Sequence, residues 1–267
     1  MQHPISIIIP YHRTPSVTRV ALHALQRFTS ECEREIILVH HQQELSVEEE
    51  IMIGEFPDLK VFAIDPSLPE AEAQSACLDR AIDEAAHEHL VLIQGDTIIL
   101  KWGWNEEIFS FMKEAELDAI ATQASEANPC RVWYRRMGDI WQELFHKRSP
   151  DKKSSGPLQL HFLIVKKSAL QKMAFRFQQQ KTLTIEHFQR SDSKLNLLSM
   201  QEVTSLLWHI PQTIRLLQGE VRDQAIAHDL WEKWRTFWSD PFILEHFSPL
   251  SDSMEQAFRD IANQHAL

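Results

Sequence analysis

A chain of 267 residues, 43% hydrophobic and 24% charged, can bury a large core as one domain or as a domain with an appendage. Its formal net charge of -11 argues against broad nucleic-acid binding, which needs clustered Lys and Arg on phosphates, and no apolar run approaches the roughly 18 residues of a membrane span. Cys32, Cys77 and Cys130 are too few and too scattered for a disulfide framework or a zinc site, and the start, MQHPISIIIPYH, lacks a basic leader region, so a reducing cytoplasm is the expected setting.

In chain order, Ile5 to Ile9 is a largely β-branched run between Pro4 and Pro10, as in a buried strand. Thr14-Pro15 reads as an N-cap with proline at the first helical position, and Val17, Val20, Ala21, Ala24 and Leu25 follow at helical spacing. Ile36 to Val39 is a second buried strand, and Ser46 to Glu49 fits a capping box opening a short helix. Val61 to Ile64 is a third strand, stopped by Asp65-Pro66, and Leu68 to Ala86 a helix. Leu90 to Ile93 is a fourth strand, which ends abruptly at Gln94-Gly95-Asp96-Thr97. Strands alternating with helices at this spacing predict an α/β fold with a mainly parallel, Rossmann-like sheet.

Beyond Trp102 and Trp104 the pattern is less regular. Asn105 to Glu116 reads as a helix, Ala119 to Thr122 as a strand, Leu158 to Val165 as a strand and Lys167 to Met173 as a helix. Between them, Asn128 to Gly156 carries Arg131, Arg135, Arg136, Lys147, Arg148, Lys152 and Lys153, a solvated loop or a cover for a diphosphate. Glu220 to Trp238 and Ser253 to Ala266 read as C-terminal helices. The first places Leu230, Trp231, Trp234, Phe237 and Trp238 on one apolar face. That aromatic stretch, 230–247, packs over the sheet or docks a partner subunit or a membrane surface.

A carboxylate just past a buried strand lies at a sheet edge, where open α/β sheets bind ligands. That is the place of Asp96, although a turn or cap role would put an Asp there too. Four blocks in order support more. Ile5 to Pro10 with Thr14-Pro15 and Ala21-Leu22, Glu35 to Val39, Cys77 to Ala85 leading into His87 to Ile93, and Gln94-Gly95-Asp96-Thr97 with Gly103-Trp104 together resemble the nucleotide-binding half of family 2 glycosyltransferases of the GT-A fold. The likeness continues through His161 to Leu170, at Thr184-Ile185-Glu186-His187 and at Trp208-His209. It implies a GT-A-like catalytic domain over 1–210, with a nucleotide-binding half, 1–115, an acceptor half, 116–210, and a C-terminal helical extension, 211–267.

The resemblance also implies a site. Pro10, Tyr11, His12, His40, His41, Asp79, Gln94 and Gly95 would line the nucleotide-sugar donor. Asp96, with His209, would hold Mn²⁺ or Mg²⁺, which favour oxygen ligands and can be shared with substrate phosphates. Glu186 or His187 would be the base that takes the proton of an acceptor hydroxyl. Trp102 and Trp104 would stack a carbohydrate, lipid-linked or protein acceptor, unless they are core packing. The chain departs from the family pattern where His40-His41 replace the acids after the second strand, where Gln94 replaces the first Asp of the metal motif, and where His187 replaces the base Asp. Two readings follow: an inverting, metal-dependent glycosyltransferase, or a degenerate member that keeps the fold as a binding or scaffold module.

Overall fold

The computed structural model describes residues 3–11, 13–40, 45–63, 68–123, 158–198, 206–209, 221, 223–247 and, singly, 250, 252 and 255. His12, His41, the basic stretch 128–156, the side chains of Trp208 and His209 and nearly all of the helix expected from Ser253 lie outside them.

The described elements follow the expected alternation. They are β1 (Ile5–Pro10), α1 (Pro15–Phe28), β2 (Arg34–His40), α2 (Val47–Gly54), β3 (Leu59–Ala63), α3 (Glu70–Glu84), β4 (His89–Ile93), β5 (Thr97–Ile99), α4 (Trp104–Glu114) and β6 (Ala119–Gln123). The second half adds β7 (Leu158–Lys166), α5 (Lys167–Lys172), α6 (Phe177–Gln180), α7 (Ile185–Arg190), β8 (Leu195–Leu198), β9 (Leu207–His209) and α8 (Gln224–Trp238), followed by a helical stretch, 241–247.

Seven strands form one sheet in the order β3-β2-β1-β4-β7-β6-β8, and only β7 runs against the others. β5 and β9 make a separate antiparallel pair that sequence periodicity did not reveal, because each is only three residues long. The central strands are apolar throughout because both faces are covered. Ile7, Ile9, Leu38, Val91 and Ile93 point into a core shared with α1, α4, α8 and 241–247, while Ile8, Ile37, Val39, Leu90 and Leu92 point into one shared with α3, α6 and α7. The aromatic C-terminal stretch therefore packs inward: Leu230, Trp234, Phe237 and Phe247 are buried, and Phe28 of α1 meets Phe242, His246 and Phe247.

The N-terminal edge of the sheet is locked by buried polar groups. Glu35 Oε1 accepts from the Ser6 hydroxyl and the Ala86 amide, each at 2.5 Å, and Oε2 pairs with Lys60 at 2.5 Å. Burial opposes its ionisation, but these hydrogen bonds outweigh that and hold the carboxyl below its ordinary range.

At the same edge His89 packs against Phe109 at 4.8 Å and His3 at 5.5 Å. Burial first, then the neighbouring His3, pushes its pKa below the ordinary 6.5. The unfolded chain thus binds a proton that the folded one resists. The stability from the neutral ring should be complete above about pH 6.5 and fall away as the pH drops through the lower folded value. Thermal melts from pH 8 to 5 should show less loss on acidification in His89→Phe than in the wild type; equal slopes would show that His89 is not the group responsible.

Candidate active site at the C-terminal sheet edge

From β1 the chain steps through β2 to β3 on one side, and then crosses back to place β4 on the other side of β1. This reversal is the switch point at which open α/β sheets bind ligands, beyond the carboxyl ends of the strands. Several expected residues converge there. Pro10 ends β1, with the Tyr11 amide extending its ladder to Val39 O at 2.9 Å; His40 ends β2; and Gln94, Gly95 and Asp96 form the turn after β4, closed by Thr97 N–H donating to Gln94 O at 3.0 Å.

Asp96 lies just past β4, as the strand pattern implied, and is only 2% exposed. The β5–β9 ladder pairs Thr97 with His209, so the residue after Asp96 faces His209 across the pair. Directly opposed residues in an antiparallel ladder have Cα atoms about 4.5–5.5 Å apart. Residues far apart in sequence that the resemblance proposed as metal ligands are thus neighbours along the backbone. Among the described residues no group of three or more His, Cys, Asp and Glu could hold a metal ion. A divalent cation here would have Asp96 as its carboxylate and otherwise phosphate and water oxygens, a set that Mg²⁺ accepts.

Gly95 is required by its neighbour. A Cβ on Gly95 would lie 2.7 Å from Thr18 Oγ1 of α1, so only glycine lets the turn rest on the helix. Gly95→Ala should cost about 1–3 kcal/mol in denaturant melts, since Thr18 is short, β-branched and fully buried. Adding Thr18→Ala should restore most of it; additive costs in the double variant would place the strain elsewhere.

A buried cluster lies beneath the first two strand ends. The Tyr11 ring stacks on His40 at 5.2 Å and 16°, and the Tyr11 hydroxyl donates to Glu49 Oε1 at 2.8 Å. His40 Nε2 is 3.6 Å from the same oxygen. Glu49 also completes the expected capping box, accepting from Ser46 N at 2.7 Å while its own amide donates to Ser46 Oγ at 3.3 Å. Burial opposes the Glu49 charge, but hydrogen bonds from Ser46 and Tyr11 outweigh it and keep the carboxyl acidic, while burial and Glu49 push the Tyr11 phenol upward. Sequence reading took Glu49 only as a capping residue. Its two oxygens face different ways, which one-dimensional spacing cannot show. Tyr11 and His40 are each 1% exposed, so they form the floor of the site rather than an open platform.

Three expected residues lie elsewhere. Asp79 sits nine residues into α3, about 13 Å from the start of that helix. It accepts from Phe177 N at 2.8 Å and Gln178 N at 3.0 Å, capping α6, so its oxygens serve packing between helices rather than a nucleotide. Trp104 is fully buried, its indole N–H donating to Thr29 Oγ1 at 3.0 Å, which leaves no face for an acceptor. Trp102 is 58% exposed, but it packs on Phe28 at 5.0 Å, and the Gly103 amide donates to Phe28 O. That is the far end of α1, ten residues or about 15 Å from Thr18 and the Asp96 turn. β5 runs back along α1 and carries both tryptophans away from the edge.

Glu186 and His187 begin α7. Leu158 N–H donates to Leu183 O, and Leu158 pairs with Gln123, so the start of α7 lies at the same sheet edge as Asp96. α7 packs on the α3 face, however, whereas the chain after Asp96 runs onto the α1 face. The two halves share an edge and approach it from opposite faces. The Thr184 amide donates to His187 Nδ1 at 3.1 Å. A neutral His187 therefore carries its proton on Nε2 and has no free lone pair to take another. His187 thus caps its own helix, and Glu186 beside it is the candidate base whose role the cap does not claim. The segments that leave the C-terminal ends of β2, β3, β6 and β8, at 41–44, 64–67, 124–157 and 199–205, lie outside the described residues.

No protein-family model and no curated protein matches the chain by sequence. By structure, S. aureus TarS residues 1–349 is similar at a TM-score of 0.50 and 12% identity, over 98% of this chain and 81% of that one. A longer S. aureus TarS structure also gives 0.50 at 12% identity, over 90% of this chain but only 44% of that one. The fold is a GT-A-like glycosyltransferase fold. Among the described residues, no helix of this GT-A-like chain is long and apolar enough to cross a membrane.

Proposed function

We propose that the chain is a divergent family 2 type glycosyltransferase, transferring a sugar from a nucleotide donor to an acceptor hydroxyl with inversion at the anomeric carbon. The observation that carries this reading is the convergence of Pro10, Tyr11, His40, Gly95 and Asp96 at the switch point of a GT-A-like sheet, with the His209 backbone one ladder position away. Asp96, with His209, would hold Mg²⁺ or Mn²⁺, and such a cation supplies charge neutralisation for a departing diphosphate. Glu49 fixes Tyr11 and His40, so the floor under the nucleotide is rigid. Glu186 would take the acceptor proton. The acceptor is a carbohydrate, a lipid-linked sugar or a protein hydroxyl, and the expected setting is cytoplasmic.

A second reading, a binding module without transfer, is favoured by His40 and Gln94 in place of acids and by the burial of Asp96. One calorimetric screen separates the outcomes. Nucleoside diphosphates are titrated with Mg²⁺ or Mn²⁺, and the matching nucleotide sugars are then assayed for release of the diphosphate. Binding and release support transfer; binding without release supports the module; no binding of any nucleotide removes transfer and leaves a scaffold role.

A further inference from the structure

We propose that the first turn of α1 is an anion site that holds the donor diphosphate through backbone amides and the Thr14 hydroxyl, without needing a cation. Naming a diphosphate rests on the nucleotide-donor reading above; the site itself does not. α1 is 14 residues long and begins at the switch point, directly after β1. Its N-terminus concentrates partial positive charge and points unpaired amides outward, as any helix start does. At this one Thr14 is the N-cap, yet its side chain makes no capping bond, Pro15 has no amide to offer, and the first turn has no acidic residue. The amides of Ser16 and Val17 are thus left without a side-chain cap.

A second observation is independent of the helix. Among the described residues, Thr14 Oγ1 and Thr18 Oγ1 are buried with no hydrogen-bond partner, in side chains 4% and 0% exposed. A buried hydroxyl without a partner costs on the order of 1–3 kcal/mol. The two stand four residues apart, a spacing that puts them on one side of the helix start, and Thr18 Oγ1 is turned toward Gly95 beside Asp96. An oxyanion at this helix start would accept from the Ser16 and Val17 amides and from the Thr14 hydroxyl, the geometry by which helix starts bind phosphate. Arg13, exposed and held at a φ of 57°, flanks the turn with a positive charge. Asp96 opposes an anion here, so the amides and hydroxyl must outweigh it when no cation is present.

The test uses inorganic pyrophosphate titrated into the full chain in EDTA, with Thr14→Val and Thr14→Ser beside the wild type. Because the Thr14 hydroxyl has no hydrogen-bond partner among the described residues, while the Thr14 carbonyl keeps its bond from Thr18 N–H in either variant, exchanging the hydroxyl for a methyl should leave the melting temperature unchanged or slightly raised. Wild type and Thr14→Ser should bind pyrophosphate, and Thr14→Val should bind at least about fivefold more weakly, a loss of about 1 kcal/mol. No binding by the wild type in EDTA overturns the proposal, as does equal affinity in Thr14→Val. A Thr14→Val protein that loses binding only together with a large fall in melting temperature shows a structural threonine and overturns it too. The two readings fail separately. Thr14-dependent binding of pyrophosphate without binding of any nucleoside diphosphate keeps the anion site and removes the nucleotide donor. Nucleoside diphosphate binding indifferent to Thr14→Val keeps the donor and removes this site.

Discussion

Asp96→Asn should abolish the part of nucleoside diphosphate binding that depends on Mg²⁺ or Mn²⁺, weakening it on the order of 10²-fold. The substitution keeps the shape of the side chain and leaves the turn bond from Thr97 N–H to Gln94 O in place, since that bond is between backbone atoms. It removes the negative charge just past β4, next to Thr97, whose backbone pairs with that of His209. Asparagine still offers an oxygen, but an uncharged one cannot offset the desolvation of a divalent cation. Calorimetry with and without EDTA reads the effect. A wild type whose affinity rises with metal and a variant whose affinity does not is the expected pair. Equal metal dependence in both would make Asp96 a turn residue, and the site would need another acid.

Glu186→Gln should lower sugar transfer on the order of 10²-fold or more while donor binding survives. The structure sharpens this by separating two neighbours that spacing alone left equivalent. His187 accepts the Thr184 amide on Nδ1, so taking up a proton there would cost the cap of α7. Glu186 is the acidic residue of the first turn of the same helix, whose capping box is made by Thr184 and His187. His187→Gln should therefore lower the melting temperature and reduce turnover only modestly, whereas Glu186→Gln should spare stability and reduce turnover severely. Initial rates at saturating donor, with the donor affinity measured apart, distinguish the two. Full turnover in Glu186→Gln would end its assignment as base, and a reversed pattern would return the role to His187.

The alternation of strand and helix through residue 123 was legible because each central strand is buried on both faces and reads as a continuous apolar run, while α1 and α2 announce themselves with Pro15 and with Ser46–Glu49. The position of Asp96 followed from the same signal, since a strand that stops must stop at an edge. Sequence could not show where the chain goes next. β5 and β9 are three residues each, too short for a period to declare itself, and their pairing is decided by contact between segments more than a hundred residues apart. That pairing takes Trp102 and Trp104 to the far end of α1 and brings His209 beside Thr97. Asp79, Glu49 and His187 show the same limit. Each was read from its neighbours in sequence, but what a carboxylate or imidazole does is set by the donors that reach it. Those donors, from Phe177, Tyr11 and Thr184, arrive through folding. Local pattern determined which segments are strands and helices and which turn ends at a carboxylate; tertiary packing alone decided which polar side chains satisfy the fold and which remain for a ligand, because a hydrogen bond counts distance in space and not along the chain.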